Sequence, residues 1–340
     1  MIQIQELYKY YGDRRAIGPL SIEVNKGEIV GLLGLNGAGK TTTLRVLACD
    51  LMPTSGTVKV GGFDVVANPD EVRARVGYLP DRPPLYDDMA VGEYLRFAAR
   101  LRKVPSGEVE RRVGDVLELT ELGDVRGQMI GTLSHGYRQR VGIAQAIVHR
   151  PEFVVLDEPI SGLDPVQIVE MRELVQSLRG DHTVIVSSHI LSEISETCDR
   201  LLVIDNGRIS WSGTEKQLFA ELGQGMALNV TVRGASQRAL EVIGAVPGVQ
   251  GVEGVPPSEA GDGILTLQVS ANSDVRDAVC RALVAANLPV LELVRRQGLE
   301  SMVLKLLGGD DAAARRKNRK KRDVSLPETA ESAEVEAEER

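Results

Sequence analysis

The run Gly34-Leu35-Asn36-Gly37-Ala38-Gly39-Lys40-Thr41 stands directly after the apolar segment Ile29 to Leu33 and directly before the helix-compatible Thr42 to Ala48. A strand, a glycine-rich turn ending in Lys-Thr and a helix are the parts of a P-loop in the order that builds one. The glycines let backbone N–H groups turn inward around phosphate oxygens. Lys40 supplies a cation for the β- and γ-phosphates, and the Thr41 hydroxyl suits Mg²⁺. A glycine-rich turn arising by chance would need neither the strand before it nor the helix after it.

Around this motif, residues 1 to about 222 alternate short apolar runs with longer amphipathic segments, the pattern of an α/β fold with a largely parallel sheet. Ile2 to Leu7, Leu20 to Val24 and Thr57 to Val60 read as half-exposed strands. Ile29 to Leu33, Phe153 to Leu156 and Thr183 to Val186 are apolar throughout, as strands covered on both faces are. A helical insert lies between them, with Val91 to Arg102 and Glu108 to Leu119 separated by Pro105-Ser106-Gly107.

From residue 227 the period returns to two. Leu228, Val230 and Val232 alternate with Asn229, Thr231 and Arg233, and Leu265, Leu267 and Val269 alternate with Thr266 and Gln268. Helical stretches at 236–244 and 273–286 and strands near 249–254 and 289–295 complete a β-α-β-β-α-β order, the split βαβ arrangement. The expected division is 1–222, a small α+β unit at 227–307, and a charged tail at 309–340. That tail carries seven basic residues in the eight from Arg315 to Arg322, then an acidic stretch from Asp323 to Glu339, a composition expected to be disordered.

Two further motifs add chemistry. Phe153 to Leu156 ends in Asp157-Glu158-Pro159, which places two carboxylates at the carboxyl end of a buried strand, where open α/β sheets bind ligands. Alternation along an extended chain points them differently. Asp157 is assigned to Mg²⁺ and Glu158 to general base or water positioning; without the P-loop, a solvated turn would explain both. Leu133-Ser134-His135-Gly136-Tyr137-Arg138-Gln139-Arg140 opens an apolar stripe at Tyr137, Val141, Ala144 and Val148, with Ser134 as the helix cap. A helix start suits an anion, yet the P-loop already provides the phosphate site, so on spacing alone ordinary capping explains Ser134.

The P-loop, LSHGYRQR, FVVLDEP, Ser161-Gly162-Leu163-Asp164 and His189 occur in the order of the ABC-transporter ATPase subunits, and residues 1 to about 222 resemble that family. The resemblance implies a P-loop NTPase ABC cassette with an antiparallel β subdomain and a helical subdomain, followed here by the α+β unit. It implies a head-to-tail dimer in which ATP on Gly34 to Thr42 of one copy meets Ser134, His135, Gly136 and Tyr137 of the other. It further implies that Asp164 lies in the loop between the two sites. His189 would contact the γ-phosphate and attacking water, and Tyr11 would stack on adenine. Taken singly, His189 is a polar residue at a strand end and Tyr11 an aromatic packed near an edge strand.

The chain departs from the family pattern at three places. Asp81 stands where the family has a glutamine; its shorter, charged carboxylate binds Mg²⁺ more strongly but donates no hydrogen bond. His135 replaces a glycine of the usual LSGGQ and Tyr137 its glutamine, while Ser134 and Gly136 are kept. The loop Gly77-Tyr78-Leu79-Pro80-Asp81, LSHGYRQR and the segment Leu299 to Leu306 resemble single-cassette exporter ATPases of the gliding-motility, drug and polysaccharide or lipid export group.

Charge and composition bound the rest. No stretch free of Asp, Glu, Lys and Arg exceeds eleven residues, far short of a membrane span, and the opening MIQIQELYKY does not read as a signal peptide. The expected place is cytoplasmic, peripheral on the inner face of the cell membrane, with transport requiring a second copy and separate polytopic permease subunits docked on residues 80–120. Cys49, Cys198 and Cys280 fit no disulfide or zinc spacing and are expected to be buried small residues. A net charge of -8 argues against coating nucleic acid, so no nucleic-acid partner is expected. The alternative is a non-transport ABC ATPase acting on nucleic acid or ribosomes through the basic tail, and a third reading places that tail on anionic lipid.

Overall fold

A computed structural model describes residues 1–222, 226–233, 236–255, 264–271 and 273–296. β1 (Ile2–Tyr11) and β2 (Arg14–Val24) pair antiparallel through a short turn, β3 (Ile29–Leu33) follows, and α1 (Lys40–Leu47) leaves the P-loop. β4 (Ser55–Val60), β5 (Phe63–Asp64), α2 (Pro69–Arg75) and β6 (Val76–Leu79) lead into a helical region of α3 (Val91–Leu101), α4 (Val109–Leu119) and α5 (His135–Ile147). The chain then returns through β7 (Phe153–Leu156), α6 (Pro165–Ser177), β8 (Thr183–Ser188), α7 (Leu191–Ile194), β9 (Arg200–Asp205), β10 (Arg208–Gly213) and α8 (Glu215–Leu222).

The central sheet runs β10-β9-β3-β8-β7-β6, parallel from β9 to β6 with β10 antiparallel at one edge. A second, four-stranded antiparallel sheet runs β2-β1-β4-β5. The fully apolar strands are explained by the two cores that flank the central sheet. Ile29 and Leu33 of β3 face the helices and enter one cluster with Val154 and Leu156 of β7. Val30 and Leu32 face the antiparallel sheet and enter the other with Phe153 and Val155. Alternation persists, but both faces bury apolar groups.

Helix boundaries move where backbone chemistry dictates. α1 begins at Lys40, two residues before the sequence reading, because Gly39 at φ 113° is already its cap. Glu108 precedes α4 as its cap, so the helix starts at Val109. β1 and β2 extend past the apolar runs read from sequence and meet at the turn around Gly12.

The third sheet contains β11 (Met226–Arg233), β12 (Val249–Val255), β13 (Ile264–Ala271) and β14 (Val290–Arg296) in the order β12-β13-β11-β14, all neighbours antiparallel. α9 (Ser236–Gly244) and α10 (Arg276–Ala285) supply the β-α-β-β-α-β order read from the sequence. Leu228, Val230, Val232, Leu267 and Val269 meet Ala239, Ile243, Val279 and Leu283 in its core. The tail at 309–340, the basic run Arg315 to Arg322 and the segment Leu299 to Leu306 lie outside the described residues.

The cysteine expectation needs correction. Cys49 and Cys198 are half-buried, but Cys280 is exposed, because it lies on the solvent side of α10 while Val279 and Leu283 fill the core. Among the described residues no helix is long and apolar enough to cross a membrane.

Candidate functional site

A cavity of about 640 Å³ opens at the carboxyl end of β3. Its walls are Tyr11, Arg14, Arg15 and Ala16 from the β1–β2 turn, Asn36 and Gly37 to Thr42 of the P-loop save buried Ala38, then Asp81, Glu158, Ser161 and His189. Of the residues singled out in the sequence, the structure brings Tyr11, Asn36, Gly37, Gly39, Lys40, Thr41, Thr42, Asp81, Glu158 and His189 together on one surface. Gly34, Leu35 and Ala38 shape the loop without lining the cavity.

The loop is built to leave donors free. Gly39 sits at φ 113°, where an L side chain is strained, and a Cβ there would stand 3.0 Å from the Ala16 carbonyl oxygen. The N-terminus of α1 carries no side-chain cap and no acidic residue in its first turn. Its N–H groups and dipole thus face the cavity unneutralised, the arrangement that holds a phosphate.

Lys40 is buried and its Nζ donates to the Gly34 carbonyl oxygen at 2.7 Å while lying 3.1 Å from Glu158 Oε1. Glu158 Oε2 lies 2.7 Å from Nδ1 of His189. One carboxylate therefore bridges the P-loop cation and the imidazole. Glu158 reaches this position from φ 51°, a conformation costly for a non-glycine residue and found mostly where function demands it. This corrects the alternation argument: Asp157 and Glu158 diverge because the chain turns left-handed after β7, beyond the last extended residue.

Asp157 lies behind the cavity, fully buried. Ser187 ties the pair together, donating through Oγ to Asp157 Oδ1 at 2.6 Å and accepting from the Glu158 N–H at 3.0 Å. Burial pushes the Asp157 carboxyl above the usual carboxylate range; the Ser187 and Thr41 hydroxyls pull it back, while the charges of Glu158 and Asp81 add to the rise. Its Oδ2 is buried without a hydrogen-bond partner.

A buried carboxylate with one oxygen lacking a partner, on a residue that also interacts with the Thr41 hydroxyl, fits a hard divalent cation, which takes oxygen ligands and keeps phosphates and waters as the remainder. Asp157 and Thr41 are the residues that would hold Mg²⁺, with Asp81 on the cavity wall. Among the described residues no cluster of three or more His, Cys, Asp or Glu forms a protein-only metal cage. A site completed by a nucleotide needs none.

Ser134, His135, Gly136 and Tyr137 lie outside the cavity at the start of α5. Ser134 Oγ accepts from the Tyr137 N–H at 3.5 Å, so the capping role read from sequence is present. Asp164 caps α6, accepting from the Val166 and Gln167 N–H groups at 3.0 Å each. Neither segment touches the cavity of its own chain.

Sequence reasoning missed Arg14, Arg15, Ala16 and Ser161, which the structure brings to the cavity wall. The basic pair Arg14-Arg15 two residues after Gly12 was the available signal, since a turn at that glycine returns both cations toward Tyr11.

The ABC transporter family model matches residues 17–161. An uncharacterized ABC transporter ATP-binding protein of Bacillus subtilis, YxlF, is 40% identical over 218 residues, covering 64% of this chain and 72% of that protein. The daunorubicin resistance ATP-binding protein DrrA3 of Streptomyces coeruleorubidus is 33% identical over 311 residues, covering 91% of this chain and 96% of that one. That length carries the likeness past residue 222 and into the third sheet. Among solved structures, an ATP-binding subunit of an ABC transporter superposes with a TM-score of 0.60 at 29% identity, covering 66% of this chain and 93% of the other.

Proposed function

The chain belongs to the ABC transporter ATP-binding family, and from that premise we propose that it is the motor subunit of an exporter in which two copies close head to tail around two Mg-ATP. It is an ATP-hydrolysing subunit that powers an ABC-type transporter. The observation that carries the mechanistic reading is the Lys40–Glu158–His189 constellation on the cavity wall.

Phosphoryl transfer to water asks a protein for position and charge rather than covalent chemistry. The free N–H groups of α1 and Lys40 hold the β- and γ-phosphates. Glu158 aligns water and accepts its proton, and His189, hydrogen-bonded to Glu158, fixes that carboxylate and faces the γ-phosphate. Thr41 and Asp157, with Asp81 nearby, would hold Mg²⁺, which would supply neutralising charge for the phosphates when bound. Tyr11 offers its exposed ring to the adenine, with Arg14 and Arg15 beside it.

The second copy supplies Ser134, His135, Gly136 and Tyr137 to the same nucleotide, and Asp164 lies in the loop between the paired sites. ATP favours the closed dimer because only there are both sites complete, and hydrolysis reopens it. Moving such an equilibrium from 1:99 to 99:1 needs about 5.5 kcal/mol of differential affinity, shared by two nucleotides.

Polytopic permease subunits would dock on residues 80–120, placing the chain peripherally on the inner face of the membrane. Two features support that face. Tyr86, Phe97 and Leu101 are exposed, with the Tyr86 and Phe97 rings 5.7 Å apart and Leu101 one turn beyond on α3. Leu101 also borders a groove of about 510 Å³ lined by Asp50, Arg73, Tyr78, Arg102 and Gln145. An apolar strip beside a charged groove suits an amphipathic element of a partner.

The division into a 1–222 cassette, a 227–307 α+β unit and a 309–340 tail is part of this reading, as is the gliding-motility, drug and polysaccharide export type. The DrrA3 likeness supports a drug-export class. The relatives are transporter subunits and do not favour the nucleic-acid alternative. An anionic-lipid contact of Arg315 to Arg322 rests on sequence charge alone.

Coexpression with candidate polytopic permease subunits, reconstitution in vesicles and measurement of ATP-dependent efflux test the proposal. Nucleotide hydrolysis stimulated by the permease is expected; a purified complex that neither binds nor cleaves ATP would overturn it.

A further inference from the structure

One side chain joins two segments of the chain, the start of α5, which lies outside its own cavity, and the loop Ser161 to Asp164, which touches that cavity only through Ser161. His135, the first residue of α5, places Nε2 3.1 Å from the Ser161 carbonyl oxygen. A carbonyl only accepts, so Nε2 carries the proton in this contact. The same ring rests against Gly162, where a Cβ would lie 3.5 Å from Nε2; that residue turns at φ 76°, which favours a glycine.

Ser161 is also bound from the other side. Its N–H donates to the Glu158 carbonyl oxygen at 3.1 Å, closing the left-handed turn that carries the catalytic carboxylate, and Ser161 itself lines the cavity. The peptide flanks of one residue thus connect Glu158 to His135. A second contact runs parallel to the first. Gly136 packs against the Gln167 side chain, with a Cβ there 2.9 to 3.0 Å from its amide atoms, and the Gln167 N–H is capped by Asp164. The Ser134 cap, at 3.5 Å, is at the long end for a hydrogen bond, so it adds little to holding the helix start.

We propose that His135 is a positioning residue that locks the Ser134–Gly136 segment to the Ser161–Asp164 loop of its own chain, coupling the surface offered to the partner's nucleotide to the turn that holds Glu158. A glycine at this position has no side chain to make the link. The proposal rests on the head-to-tail reading above. It adds that each chain's trans-acting segment and its own catalytic turn move as one body, so that engagement of one nucleotide is felt at the other.

The test uses full-length chains in mixed dimers. Pairing a chain carrying Lys40→Ala with one that keeps Lys40 leaves a single competent site, built from the P-loop of the second and the α5 start of the first. His135→Ala is then placed on one chain or the other. Coupling requires kcat to fall with either placement, by about two- to tenfold for one neutral hydrogen bond, with KM for ATP unchanged when the change sits on the Lys40 chain. His135→Gln, whose Nε2 amide reaches the same carbonyl, is expected to restore most of the rate in both placements.

Loss only when His135→Ala sits on the Lys40→Ala chain would show a direct contact with the partner's nucleotide and no coupling. Normal rates in both placements, or no recovery with glutamine, would equally overturn the proposal. Glu158→Gln separates this failure from that of the underlying reading. If Glu158→Gln forms no ATP-dependent dimer, the head-to-tail reading falls and takes this inference with it; if it dimerises while His135→Ala behaves as wild type, only the coupling falls.

Discussion

Lys40 Nζ lies 3.1 Å from Glu158 Oε1 with both side chains nearly out of solvent, so the phosphate-binding cation is neutralised by the carboxylate that is to handle water. An incoming γ-phosphate must take Lys40 from Glu158, and in doing so frees the carboxylate for a water. Removing one partner of a buried pair leaves the other uncompensated.

Glu158→Gln is therefore expected to act in two opposite ways. Hydrolysis should slow by about 10² to 10⁴-fold through loss of the base, while ATP should bind more tightly because Lys40 no longer has an internal counter-ion. Single-turnover kinetics and the ATP-induced rise in Tm check these two parts, and gel filtration checks for the ATP-trapped dimer expected from their combination. Near-normal turnover would remove Glu158 from the role of base. Lys40→Ala removes the cation itself and is expected to abolish ATP binding; retained micromolar affinity would contradict the phosphate site.

Asp157 bears a different burden. Its carboxyl is held above the usual range chiefly by burial, so the ionised form destabilises the nucleotide-free fold, and that cost is present once pH exceeds its raised pKa. Asp157→Asn keeps an acceptor for the Ser187 hydroxyl and removes the charge. The variant is expected to melt higher than wild type at pH 7.5 without Mg-ATP, with about 2–4 °C for each kcal/mol in a unit the size of the 1–222 cassette, and to lose Mg-dependent hydrolysis. A lower Tm would mean that the ionised carboxylate is stabilised by contacts beyond the two hydroxyls.

Most of the candidate site is legible in the sequence, and the reason is physical. Gly34 to Thr42, Asp157 and Glu158 are local in sequence, and their order around apolar strands fixes where the sheet's carboxyl edge lies. What escaped notice depends on through-space pairing. Arg14 and Arg15 reach the cavity only because β1 and β2 fold back on each other, and Ser161 reaches it only through the left-handed turn at Glu158. The β-α-β-β-α-β order was readable from period-two alternation, whereas the strand order β12-β13-β11-β14 and the exposed face of Cys280 follow from tertiary packing.

The strip Tyr86, Phe97 and Leu101 gives a test of docking that leaves the nucleotide site alone. Leu101 is 68% exposed, so Leu101→Glu removes no core contact. Hydrolysis by the isolated chain and its Tm are expected to stay within experimental error of wild type. Copurification with the permease and permease-stimulated hydrolysis are expected to drop by tenfold or more, in the range of about 1.4 kcal/mol per decade. Undiminished copurification would move the docking face away from α3.

His149 is buried in a setting that disfavours its protonated form. Burial, and next the positive charge of Arg102, lower its pKa from 6.5 to about 4, with His182 acting in the same direction. Between those values the unfolded chain binds a proton that the folded chain refuses, so stability present above pH 6.5 is lost progressively as pH falls toward 4. His149→Gln cannot take up that proton. Its Tm is expected to fall less steeply than wild type between pH 7 and pH 4.5, so that the two curves converge or cross on the acid side even if the variant melts lower at neutral pH. Differential scanning fluorimetry across that range measures the slopes directly, and parallel curves would assign the acid loss to other groups.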